Sequence, residues 1–219
     1  MNAILLGANS EIGKELTARL HVDGWTVFTW ARGERIDTLP AWSLIVCAIG
    51  QVAPVGAWHE NRDDEWDACM ESNLLLPLRL LRELWDRREP DAAVCFLAGS
   101  NPNRIMPGYS AYNVSKMALL KAVEQLDAES GDCKLFALGP GYIPTKIHRA
   151  THEAGWANDV IQRGPVATMQ GVYDCLKWCI AQPKMVIGGR NICASDVRTQ
   201  ELTARLALYP SLYKLRRCE

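Results

Sequence analysis

The chain has no C-x-x-C pair, no apolar run long enough to cross a bilayer and no excess of either charge. Each absence removes a class of function. Cys47, Cys69, Cys95, Cys133, Cys175, Cys179, Cys193 and Cys218 are scattered, which argues against a zinc site or a disulfide framework and for buried free thiols. Cys47 and Cys95 lie inside apolar, strand-like runs. His148 and His152 have the i, i+4 spacing of a helical zinc pair, but no glutamate follows the first, so they read as solvated or substrate-lining and no metal is expected. Lysine and arginine total 24 against 25 acidic residues, a net charge of -1, so neither nucleic acid nor an anionic membrane is the expected partner. Pro77 and Arg79 interrupt the richest apolar stretch, Leu74 to Leu81, and the start Met1 to Gly7 lacks a basic leader; the expectation is a soluble cytoplasmic protein.

What is present is a core. With 219 residues, 48% of them hydrophobic, residues 1–219 can form one domain. Ile4 to Leu6 reads as a buried strand, followed by a glycine turn and a helix whose Ile12, Leu16 and Leu20 recur every fourth residue up to a stop at Gly24. Trp25 to Trp30 reads as a second strand, and Leu44 to Ile49 and Ala92 to Ala98 as parallel strands covered on both faces. Helical composition runs from Asp64 to Arg88, from Ala111 to Ala128 and from about Val166 to Ala181. Lys134 to Leu138 reads as a strand, and Met185 to Ile187 with Asn191 to Ala194 as a last strand region. Strands alternating with helices predict an α/β fold: a doubly wound parallel sheet with helices on both faces and a site at the carboxyl ends of the strands.

Two local patterns carry chemistry. Tyr112 and Lys116 share a helix face, so an ammonium can lie beneath a phenol and favour its ionised form. A free phenol titrates near ~10, and one positive charge at about 4 Å contributes roughly 4 kcal/mol at an effective dielectric near 20. Tyr109 is the rival phenol, but Asn113 and no lysine stands four residues on. Gly7-Ala8-Asn9-Ser10-Glu11-Ile12-Gly13 falls between strand and helix, where backbone amides can hold a pyrophosphate, although Glu11 stands where a third glycine is usual.

Taken together, Gly7 to Gly13, Asn73, Ser100, Tyr112, Lys116 and Pro140-Gly141-Tyr142-Ile143-Pro144-Thr145 resemble the short-chain dehydrogenase/reductase family in order and spacing, over about residues 1–196. The resemblance implies a Rossmann-type fold, an NAD(H) or NADP(H) cofactor and hydride transfer between a carbonyl and an alcohol. On the matching positions, Tyr112 would be the general acid/base and Lys116 would lower its pKa and bind the nicotinamide ribose. Ser100 would polarise the substrate oxygen, although it lies twelve residues before Tyr112 where thirteen is commoner. Asn73 would support a water linking Lys116 to solvent. Cofactor contacts would come from Gly7, Asn9, Ser10, Glu11, Ile12, Gly13, Ala48, Gly50, Tyr112, Lys116, Pro140, Gly141, Ile143 and Thr145, the last two near the nicotinamide amide.

Ala31 and Arg32 stand at the end of the second strand where NAD-selective relatives place an acid, and a guanidinium suits a 2′-phosphate. NADP(H) is the preferred cofactor; Glu34 leaves NAD(H) open. The interval between Trp30 and Ser43 is too short for the helix, strand and turn that relatives carry, so Arg35-Ile36-Asp37 is expected as a remnant strand with Asp37 near the adenine. Only Gly50 survives of the Asn-Asn-Ala-Gly motif, here Cys47-Ala48-Ile49-Gly50.

Residues 142–163 would form a substrate lid that Tyr142, His148, His152 and Trp156 could line, and 197–219 a C-terminal extension. Gly188 to Asp196 and Tyr213 to Arg217 look like members found with polysaccharide and nucleotide-sugar pathways. The leading expectation is therefore reduction or oxidation of a small carbonyl/alcohol substrate, with a keto-sugar or its nucleotide conjugate as one candidate. Another small ketone, or a dinucleotide-sensing relative without turnover, are the alternatives. By analogy the family implies a homodimer or homotetramer.

Overall fold

The computed structural model describes residues 1–99, 104–153, 155, 167–196 and 200–215. Six strands form one parallel sheet: β1 (Asn2–Leu6), β2 (Thr26–Trp30), β3 (Trp42–Cys47), β4 (Arg88–Leu97), β5 (Lys134–Gly139) and β6 (Asn191–Cys193), in the order β2-β1-β3-β4-β5-β6. Chain order reverses direction between β1 and β3, and the crevice beyond their carboxyl ends is where this architecture holds a ligand.

Strict alternation along the strands explains why both faces are covered. Ala3, Leu5, Val46, Cys95 and Phe136 point to one side, where α1 (Glu11–Val22) and the helix Met169–Ala181 supply Leu16, Leu20, Val172 and Leu176. Ile4, Leu6, Ile45, Val94 and Leu135 point to the other, against Leu80, Leu81 and Leu84 of one helix and Leu119 and Val123 of the next. Each such side chain contributes roughly 1.5–3 kcal/mol by leaving water. The second layer consists of α2 (Asp63–Met70), α3 (Leu76–Leu84) and α4 (Ser110–Glu129). Between α2 and α3 the backbone widens over Glu71–Leu75, where the Leu76 N–H reaches back five residues to Glu71 O. Among the described residues the remaining α-helices are α5 (Arg149–Glu153), α6 (Met169–Ala181), α7 (Lys184–Ile187) and α8 (Gln200–Leu208).

Three expectations are corrected. Met185 to Ile187 is one helical turn rather than strand, because Pro183 starts it and Gly188 N–H closes onto Lys184 O at 2.7 Å. β4 begins at Arg88, four residues before the apolar run, with a register shift opposite Trp42 and Leu44. Residues 35–37 form no strand: Asp37 pairs with Arg35 at 3.0 and 2.5 Å, and its backbone oxygen accepts from Arg87 at 2.9 Å. β2 therefore remains the sheet edge.

The tail belongs to the same core. Leu202 and Leu206 of α8 are buried in it, and Asn191 N–H donates to Tyr213 O at 3.2 Å. Arg190, 1% exposed, donates to Leu206 O at 2.6 Å and Tyr209 O at 3.1 Å, capping the carboxyl end of α8. Among the described residues no helix is long and apolar enough to cross a membrane.

Candidate active site

A cavity of about 560 Å³ opens where the carboxyl ends of β1, β3, β4 and β5 meet, within the size range of small-molecule sites. Three loops and α4 build it. After β1, Gly7 turns at φ 83, its N–H donating to Trp30 O at 2.9 Å; a Cβ there would lie 2.9 Å from the Ala48 carbonyl carbon. Ser10 Oγ donates to Gly7 O at 2.9 Å and accepts from Gly13 N–H at 2.9 Å, capping α1, and a Cβ on Gly13 would meet Gly7 O at 2.5 Å. The two glycines thus shape the turn from behind, while Asn9, Ser10, Glu11 and Ile12 line the cavity.

After β3, Ala48 and Gly50 line it, and a Cβ on Gly50 would come within 3.0 Å of Asn73 Oδ1 and 3.3 Å of Lys116 Nζ. After β5, Pro140, Gly141, Ile143 and Thr145 line it, with Gly141 at φ 80 and Thr145 N–H folded onto Ile143 O at 2.7 Å. Tyr112 and Lys116 project from the first turns of α4 into the same space. Lys116 is 4% exposed and donates to Leu97 O at 2.9 Å, at the end of β4.

Asn73 lies behind this wall, fully buried in the widened turn between α2 and α3. Its Oδ1 accepts from Gln51 N–H at 2.8 Å, and its Nδ2 faces Gln51 O at 2.9 Å, Ser115 Oγ at 2.9 Å and Cys69 Sγ at 3.2 Å. Ser115 Oγ in turn donates to Tyr112 O at 2.8 Å. This lattice ties the loop after β3 to the turn of α4 that carries Tyr112 and Lys116. Ser115 and Cys69 were not expected from sequence; the position of Ser115 three residues after Tyr112 was the only local sign of it.

Burial dominates the titrations. It pushes the Tyr112 phenol up to about 12, with Cys69 adding to the effect, the opposite sign to the shift expected from its lysine. It pulls Lys116 down to about 8. Cys47, 2% exposed beneath the site, is pushed up to about 11 and stays a thiol at neutral pH. Tyr109 also lines the cavity, and burial raises its phenol too.

Two expected contacts stand apart. Arg32 is exposed in the turn after β2 and Asp37 is held by Arg35; neither belongs to the cavity lining. Ser100 and Trp156 lie outside the described residues, as do the rest of the lid after Gly155 and the tail beyond residue 215. His152 is exposed, whereas His148 lines the cavity with its ring 4.9 Å from that of Tyr142. Lys14 and Lys146 line it as well, unforeseen in the sequence. Glu11 accepts the Lys146 N–H at 2.6 Å, joining the glycine turn to the start of the lid.

The described cysteines are free thiols, and no cluster of metal ligands occurs among the described residues. A dinucleotide does fit the donor set. The capped start of α1 presents backbone amides at the cavity, and the Glu11 charge there is flanked by Lys14 and Lys146.

The chain matches a short-chain dehydrogenase family model, described as enoyl-(acyl carrier protein) reductase, over residues 33–181. The match begins after the glycine turn. No curated protein matches the sequence. Among solved structures, the chain is similar to a small-chain dehydrogenase in complex with NADPH, at 16% identity and TM-score 0.78 over 88% of this chain and 95% of that one. It is similar to an actinorhodin polyketide ketoreductase variant with NADPH, at 20% identity and TM-score 0.75 over 88% and 94%. It is also similar to the aldohexose dehydrogenase of Thermoplasma acidophilum, at 17% identity and TM-score 0.75 over 88% and 91%. At these identities the likeness to solved structures is one of fold.

Proposed function

Because this chain belongs to the short-chain dehydrogenase/reductase family of NAD(P)-dependent oxidoreductases, we propose that it interconverts a small ketone and its alcohol with NADP(H), working as a reductase at neutral pH. The observation that carries this reading is the meeting of Tyr112 and Lys116 with the glycine turn and the Pro140–Thr145 loop around one cavity.

Asn9 to Ile12 and the start of α1 would hold the pyrophosphate, Ala48 and Gly50 would border the adenosine side, and Pro140, Gly141, Ile143 and Thr145 would hold the nicotinamide end. A nicotinamide bound there would supply or accept the hydride. Tyr112 does the proton work. A phenol pushed up to about 12 is protonated at neutral pH, and it is still far more acidic than the alcohol that the nascent alkoxide becomes as a carbonyl is reduced. It therefore donates to that oxygen, and the Lys116 ammonium stabilises the phenolate left behind. The reverse direction needs the phenol ionised, which burial opposes, so oxidation requires alkaline conditions. Asn73 holds Gln51 and Ser115 in place around the pair, and Ser100 is the proposed partner of the substrate oxygen.

The exposed guanidinium of Arg32 after β2 supports NADP(H) over NAD(H). Glu34 is folded back, its carboxylate accepting Ala31 N–H at 2.7 Å, which leaves the exposed Arg32 as the cation at the strand end. Asp37 is paired with Arg35 at the surface. We further propose a cytoplasmic homodimer or homotetramer. Its contacts would use α4 and the α2–α3 helix, where Val114 and Leu75 expose apolar surface, and the free thiols suit a reducing compartment.

A panel of small ketones and keto-sugars, tested with NADPH and NADH by nicotinamide absorbance, tests the reading. Reduction of one or more ketones with NADPH favoured is expected. Fluorescence-detected NADPH binding without oxidation by any member would point instead to a dinucleotide sensor.

A further inference from the structure

The glycine turn departs from a plain amide cradle at one position. Glu11, the first residue of α1, brings a carboxylate to the helix end that faces the cavity, where the phosphates of a dinucleotide would have to lie. An acid there favours the helix and opposes an anionic ligand. Its Oε2 accepts at 2.6 Å from the backbone N–H of Lys146, which opens the helical turn Lys146–His148 after β5. Lys14 stands three residues along α1 from Glu11, on the same side of the helix. Two lysines far apart in the chain therefore converge on one acidic residue, and all three residues line the cavity.

The fold makes no use of either ammonium. Lys14 and Lys146 are exposed, and among the described residues neither side chain has a hydrogen-bond or ion-pair partner; Lys146 meets Glu11 through its backbone alone. Lysines that serve the fold look different: Lys134 Nζ donates to Gln182 O at 2.7 Å, and Lys184 Nζ to Asp127 O at 2.7 Å and Cys133 O at 2.6 Å. Two cations against one carboxylate leave this side of the cavity net positive. Arg32, the cation proposed for a 2′-phosphate, lies outside the lining.

We propose that Lys14 and Lys146 are a cation clamp for the pyrophosphate of the dinucleotide, offsetting the Glu11 charge that stands where a third glycine is usual. The inference rests on the oxidoreductase reading in one respect, that NAD(P)(H) binds this cavity. Pyrophosphate is common to NADPH and NADH, so the clamp strengthens both alike and takes no part in choosing between them. That separates it from Arg32.

The test is a fluorescence titration of wild type, Lys14→Met, Lys146→Met and the double variant with NADH and with NADPH, at low and high ionic strength. Each single substitution should weaken both cofactors by about three- to tenfold at low salt, the worth of one solvent-exposed charge pair, and leave the preference for NADPH over NADH within about twofold of the wild-type ratio. Arginine at either position should retain most of the affinity. Added salt should weaken binding to the wild type more than to the double variant. Unchanged affinity in the double variant would overturn the proposal, and so would a loss confined to NADPH, which would move the lysines to the 2′-phosphate.

The same substitutions in a Glu11→Gln background separate phosphate binding from simple neutralisation of Glu11. Losses that persist there uphold the clamp; losses that vanish with the carboxylate would show that the lysines serve Glu11 alone, and would overturn it. None of these titrations needs turnover. A wild type that binds both cofactors, loses affinity in the variants and reduces no ketone would uphold the clamp while defeating the oxidoreductase reading. Ketone reduction by a protein whose lysine variants bind both cofactors normally would defeat the clamp and leave that reading standing, and a wild type that binds neither cofactor would defeat both.

Discussion

Methionine in place of Lys116 removes a buried cation at nearly constant volume, and the structure gives the consequence a sign and a size. Lys116 is 4% exposed, and burial lowers its pKa from 10.5 to about 8. That depression means the charged form opposes folding by about 3 kcal/mol at neutral pH. The substitution also deletes the bond to Leu97 O, which costs about 1–2 kcal/mol. Net stability should therefore rise by about 1–2 kcal/mol near pH 7, or roughly 2–8 °C in Tm for a chain of this length.

The effect must depend on pH. Between about 8 and 10.5 the unfolded chain keeps the lysine proton and the folded chain does not, so wild-type stability climbs with pH across that window. Methionine has no such proton. Its advantage should shrink by about 3 kcal/mol on going from neutral pH to above 10.5, leaving the variant the weaker by the lost hydrogen bond. Urea denaturation of both proteins at the two pH values measures this, and NADPH-dependent ketone reduction, lost in the variant, is read alongside. A variant less stable than wild type by the same amount at both pH values would refute the claim that a costly charge is kept there for chemistry.

Two further outcomes test the cofactor end. Arg32→Ala should weaken NADPH by about tenfold or more while changing NADH by less than about threefold, as expected for loss of a charge-assisted contact to the extra phosphate; equal losses in a fluorescence titration would remove Arg32 from that role. Glu11→Gln keeps an acceptor for Lys146 N–H but deletes a negative charge at the start of α1. NADPH should bind a few-fold tighter at low ionic strength, with the gain fading as salt screens it, and a salt-independent change would show that the Glu11 charge does not act on the phosphates.

What the sequence made legible was local or periodic. Tyr112 and Lys116 declare themselves through one turn of helix, Gly7 to Gly13 through their place between strand and helix, and the inner strands through apolar runs whose residues divide between the two core faces. Three consecutive apolar residues, Met185 to Ile187, are too few to show a period, and Pro183 was the cue that a turn of helix starts there. Asp37 was expected near the adenine, and the structure pairs it at the surface with Arg35, two residues away. Residues joined only by the fold stayed hidden: Lys146 meets Glu11 across 135 positions, and Asn73 meets Ser115 across 42. The sign of the Tyr112 perturbation was missed for the same reason. A helix pattern places a lysine beside a phenol but does not reveal how much water the surrounding loops remove from both.

Tyr112→Phe, mixed with NADPH and a ketone reduced by the wild type, is the most direct measurement. NADPH affinity should stay within about threefold, because the phenol's part is the proton, while the single-turnover rate of nicotinamide oxidation should fall by about 10²–10⁴. A variant that binds NADPH normally and still reduces the ketone at a rate near that of the wild type would show that the proton reaches the alkoxide from some other group.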